Sequence, residues 1–224
     1  MARFPARNKI PEFTIFASLL RMTTKYGFSD TREALVEDLK GAYPTKWEDF
    51  ETAKVLGENV FGSPKPHPNA VLNLFLEQRI KFALPFAAYR AGLGGPSTHV
   101  NGKPGTVIPR PTLVYIIRGM GGIQCMLTYV VQRVAYTWDR GACLGSGCIL
   151  DVAWPAKRRI EVLDKISEAL LQNTGRDMLS SLQLSDSFCV DCAKQLKVIN
   201  RECREEVVWA ELPSLLGWES WEGV

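Results

Sequence analysis

Six cysteines are the residues of this chain best placed to do chemistry, and four of them stand as two close pairs. Cys143 and Cys148 bracket Leu-Gly-Ser-Gly, and Cys189 and Cys192 bracket Val-Asp at the start of a helical pattern. Zinc takes its ligands in a tetrahedron, and two close thiol pairs are the usual way one chain supplies them. A glycine turn lets the first pair wrap an ion, and a helix N-terminus stabilises thiolate charge in the second. Cys143, Cys148, Cys189 and Cys192 are therefore the candidate ligands of one structural zinc. A plainer reading competes: free cysteine is among the most buried residue types, the pairs are far apart in sequence, and no histidine stands beside either. A redox role for Cys189 and Cys192 lacks the βαβ setting it needs. Cys125 lies on an apolar segment and is expected in the core. Cys203 stands too far along the helix from Cys189 to share its ion.

No other constellation suggests a reaction. The two histidines, His67 and His99, sit in Pro/Gly-rich connectors and read as solvated loop residues. The glycine clusters at residues 92–95 and 119–122 follow no strand and carry neither the lysine nor the hydroxyl of a phosphate-binding loop. Glu205 and Glu206 read as a solvated helix face, and Lys157, Arg158 and Arg159 as charges opening an amphipathic helix. Trp209, Trp218 and Trp221 are expected to fold back over preceding helices. No group meets the requirements of a nucleophile with its base, so the expectation is a protein that is not an enzyme.

The chain has 224 residues, 46% hydrophobic and 23% charged, which is the balance of a folded domain able to bury a core. Its net charge of +3 is spread without long basic runs, so no electrostatic footprint for nucleic acid or anionic lipid is expected. The apolar run at residues 13–20 is short, follows Glu12 and meets Arg21 and Lys25, with no small-residue cleavage site after it; it does not read as a signal peptide. The longest apolar stretch, residues 123–136, is interrupted by Gln124, Gln132 and Arg133 and reads as too short for the roughly 18 residues of a membrane span. An intracellular address, cytoplasmic or nuclear, is expected. In that reducing setting cysteines stay thiols or metal ligands.

The elements that must position these residues all read as helices. Ile15, Leu19, Met22 and Tyr26 recur at helical spacing, with Phe16 and Leu20 widening the stripe. Gly27 ends this helix, and a second begins with Asp30 as cap and Glu33 in the capping box. It closes at Gly41, completing a helix hairpin over residues 13–44. Residues 45–224 read as a helical extension. Within it Thr45 opens a helix carrying Trp47 and Phe50, and the run at residues 63–68 is a stiff proline connector. Asn69 caps an apolar helix through Phe75 and Ile80, and Pro85 starts a short helix that ends near Gly92. A mobile Gly/Pro-rich loop is expected near residues 92–111, then an apolar segment at 113–136 split by the glycines at 119–122. Residues 156–171 form the clearest amphipathic pattern, and a last helix at 188–209 is stopped by Pro213. Period-two alternation is absent. The fold class is all-α, an irregular multi-helix bundle with little or no β-sheet.

Phe16-Ala-Ser-Leu-Leu-Arg-Met-Thr-Thr-Lys-Tyr26, then Asp30-Thr-Arg-Glu-Ala-Leu35 and Tyr43-Pro-Thr45, resembles the final helix pair of a BTB (POZ) domain in the expanded fungal BTB-domain family. Leu84-Pro85-Phe86-Ala87-Ala88-Tyr89, the pair Cys143 and Cys148, and the closing set Cys189, Cys192, Arg204, Trp209, Leu212, Pro213 and Trp218 are similar to that family's later segments. The strands and helices that open a complete BTB domain have no counterpart here. The resemblance implies a C-terminal part of such a protein, a non-enzymatic protein–protein interaction module without catalytic residues. Phe13, Ile15, Phe16, Leu19, Leu20 and Tyr26 would then either dock on downstream helices or stay exposed and drive self-association. The alternative function is a zinc-stapled regulatory or nucleic-acid-binding factor.

Overall fold

The computed structural model describes residues 12–50, 61, 65–94, 105–138 and 190–221. Of these, 76% are helical and none lies in a strand. The protein is all-α, as the missing period-two alternation implies. Two compact units divide it: residues Met1–Ile117 with Leu216–Val224, and residues Arg118–Leu215.

In the first unit, α1 (Phe13–Tyr26) and α2 (Ser29–Lys40) form the expected hairpin. Gly27 turns the corner in the left-handed region at φ 69°, and both its own N–H and that of Phe28 close on the carbonyl of Thr23. A glycine adopts that conformation without the penalty a side chain would add. α2 starts at Ser29 after Phe28, so Asp30 lies in its first turn rather than at the cap. There its charge still faces the positive end of the helix dipole.

α3 (Pro68–Gln78) begins where the proline run ends. His67, not Asn69, is its N-cap: the imidazole Nδ1 accepts from the Asn69 N–H at 3.2 Å, and Pro68 occupies the first turn, where no N–H is needed. The helix stops at Arg79, which takes a left-handed conformation at φ 53° and lets Ile80 N–H return to Phe75 O. A single turn, Lys81–Ala83, leads into α4 (Leu84–Gly92), of which Leu84 through Tyr89 and Ala91 are all buried. A helix apolar all round belongs in a core. Tyr43, Phe50, Phe75, Phe86 and Tyr89 pack about it edge to face or stacked, with ring centroids 4.7 to 6.2 Å apart.

The Gly/Pro-rich loop is pinned at its end. Asn73 Nδ2 donates to the carbonyls of Gly105 and Val107, Asn69 Nδ2 donates to that of Thr106, and Ile108 is buried. α5 (Arg110–Trp138) then runs without a break, with Pro111 in its first turn. The split expected at the glycines does not occur. Two of them are packing sites: Gly119 is buried, and a Cβ on Gly122 would stand 2.7 Å from Leu215 Cδ2. A second correction follows from that continuity. The stretch Arg110–Val130 has a mean hydropathy of 1.3 and is long and apolar enough to cross a membrane by length and composition. The assumed interruption had hidden it.

In the second unit α6 (Val190–Cys203) passes into a π-helical turn at Arg204–Trp209, where Ala210 N–H reaches back five residues to Glu205 O. Asn200, Arg204, Val208 and Leu212, every fourth residue, are all buried. In a straight α-helix that spacing drifts by about 40° at each step. The wider π turn holds it on one side. α7 (Leu212–Leu215) closes the unit, and Leu216 is buried in the first one.

Candidate docking face on the first helix

α1 carries seven large apolar residues on 14 positions, more than one stripe of a helix can bury. The structure divides them. Phe16 and Leu20, with Ala17 and Thr23, face the core, where the Phe16 and Phe13 rings pack on Phe61 at 5.4 and 5.2 Å. Of the two outcomes open to the stripe of Ile15, Leu19, Met22 and Tyr26, docking inward or exposure, it takes exposure. Ile15 is 53% exposed, Met22 51% and Tyr26 58%, and Leu19 lies half-buried between them. Phe28, just past the turn, is 58% exposed and extends the patch, its ring 6.2 Å from that of Tyr26. The spacing of Ile15, Leu19, Met22 and Tyr26 identified a single face correctly. What it could not say is which of two overlapping apolar faces the rest of the chain would take.

The orientation is set from the other side of the hairpin. Arg21 grips Glu77 with Nε at 2.9 Å and Nη2 at 2.7 Å, Thr24 Oγ1 donates to Gln78 Oε1 at 2.7 Å, and Arg32 Nη2 donates to the Gln78 carbonyl. The hydrogen bond from Arg21 holds the Glu77 carboxyl below the usual carboxylate range, and burial opposes it. These bonds tie α1 and α2 to the end of α3 and turn the second stripe outward.

That stripe has a particular polar frame. Ser18 Oγ donates to Thr14 O at 2.8 Å, and Thr14 Oγ1 donates to Glu12 Oε1 at 3.0 Å. Both hydroxyls are satisfied within the helix, so covering them strands no donor. Between Glu12 and Arg21 the helix has no charge. Lys25 lies over its own Tyr26 ring, Nζ 5.4 Å from the centroid. The face is thus apolar along its length, acidic at one end and basic at the other.

The other candidate residues are less informative. Cys143, Cys148 and Cys189 lie outside the described residues, as does His99; Cys192 falls in the first turn of α6, and only its backbone position is described. Among the described residues no group of three or more His, Cys, Asp or Glu could hold a metal ion. Cys125, expected in the core, is exposed on α5, while Cys203 is buried, with its thiol pushed up by burial. Arg204 is 2% exposed, its Nε donating to the buried Asn200 at 3.0 Å, and Trp209 folds inward as expected. Comparison with protein-family models, with curated proteins and with solved structures finds no match to this chain.

Proposed function

We propose that the protein is a non-enzymatic protein–protein interaction module and that the outer stripe of α1 is its docking face. The observation carrying this reading is the exposure of Ile15, Met22, Tyr26 and Phe28 together on a hairpin whose core side is already filled. Single exposed apolar residues are ordinary, whereas a contiguous apolar patch with a polar rim marks an interaction site. Large aromatic and Met side chains also dominate the energetics of such interfaces. The resemblance of this same hairpin to the last helix pair of BTB domains is consistent with an interaction role.

The test places a photo-crosslinking amino acid at position 22, and in a second protein at position 38 on the outer side of α2, each in the full chain under native conditions. Adducts from position 22 and none from position 38 are expected. Equal labelling from both positions, or none from either, would overturn the reading.

A further inference from the structure

We propose that the occupant of this face is a second copy of the chain, laid antiparallel along α1 across a two-fold axis between Leu19 and Met22; this rests on the docking reading above. A symmetric dimer uses one patch twice, so the patch must be complementary to itself. The stripe meets that condition. Its intervals from Ile15 to Leu19, Met22 and Tyr26 are four, three and four, a sequence that reads the same in both directions. An antiparallel copy therefore sets Ile15 against the partner's Tyr26 and Leu19 against the partner's Met22, so all four residues of the stripe are paired.

The charges select the same arrangement. Glu12 stands at the start of α1 and Lys25 near its end, with no charge between Glu12 and Arg21, and Arg21 is held by Glu77. Antiparallel pairing brings the acidic end of one helix to the basic end of the other and opposes the two helix dipoles; parallel pairing would set like beside like. Thr14 and Ser18 flank the stripe with small side chains whose hydroxyls are already satisfied, so the backbones can approach without stranding a donor.

The size of the face sets the strength. Fourteen residues make a helix about 21 Å long. A single helix of that length covers well under the roughly 800 Å² per partner of a stable complex, so the dimer is reversible and concentration-dependent.

Sedimentation velocity on the full chain, from about 1 µM to about 500 µM, reads this directly, since a small face associates in that range. The mean mass should climb from one copy of 25.0 kDa toward two. Met22→Glu should hold the chain monomeric with its helical circular dichroism unchanged. Lys25→Glu should weaken association by roughly two- to tenfold, as expected for exposed charge pairs met twice. Glu12→Lys combined with Lys25→Glu should restore it, which only a self-complementary pairing predicts. A monomer throughout, a dimer indifferent to Met22→Glu, or no rescue by the double exchange would overturn the second-copy assignment. A monomer that still gives adducts to other proteins from position 22 would pass the face to an unrelated partner, leaving the docking reading in place.

Discussion

Tyr43 shows how a single side chain ties the hairpin to the core and what pH does to it. Its ring meets Phe75 at 4.7 Å and Phe86 at 6.1 Å. Although the residue keeps some surface, its hydroxyl is desolvated, which raises its pKa well above the usual phenol value, with the charge of Arg90 opposing. The folded state therefore keeps its proton where the unfolded chain gives it up. That contribution to stability is intact below a pH of about 10 and is lost as pH rises past it, because ionisation then favours the unfolded state. Urea unfolding from neutral to alkaline pH should show this fall in the wild type, and Tyr43→Phe should flatten it. An identical alkaline slope in both proteins would show that the phenol is not desolvated. At this scale the sequence was only partly legible. Phe75 could be placed on an apolar helix from the residues around it. Cys125 could not be placed outside, because it shares an apolar stretch with Ile123 and Leu127 but points away from them.

At the scale of elements, helix positions followed from spacing and from Gly and Pro, while the split assigned to α5 came from treating glycine as a stop. Gly27 does end a helix; the glycines at 119–122 do not, and at Gly122 the side chain of Leu215 fills the space a Cβ would take. The π turn was illegible for another reason. A four-residue repeat of Asn200, Arg204, Val208 and Leu212 includes two polar residues that no hydropathy pattern would place inside. The end of α7 gives a prediction at this scale. Gly217 has φ +92°, and a Cβ there would meet Tyr115 Cδ1 at 2.7 Å. Gly217→Ala should cost about 1–3 kcal/mol of stability through backbone strain and this clash. Thermal unfolding of that variant equal to wild type would remove the role given to the turn.

For the molecule as a whole, the all-α class was plain in the sequence. Its apolar surface was not, because spacing reports that a face exists and not whether something covers it. α5 poses the sharpest alternative, since Arg110–Val130 could span a bilayer by composition. Arg118 stands near the middle of that window, where a charge costs about 2.5–3.5 kcal/mol, and Ile116, Ile123, Leu127 and Val130 are buried by protein. Flotation with neutral lipid vesicles should leave the chain in the lower fraction; co-flotation that survives high salt would show that α5 enters the bilayer. Metal content decides the cysteines. One zinc per chain, lost in Cys192→Ser, would add a staple to the module, and none would leave four thiols. The account rests above all on α1 having two apolar faces, of which the fold uses one. Urea unfolding of Leu20→Ala beside Met22→Lys tests this most directly. Leu20→Ala should lose about 2–5 kcal/mol as a buried truncation, and Met22→Lys should stay within about 0.5 kcal/mol of wild type. A loss of several kcal/mol in Met22→Lys would place the outer stripe in the core and contradict the docking face.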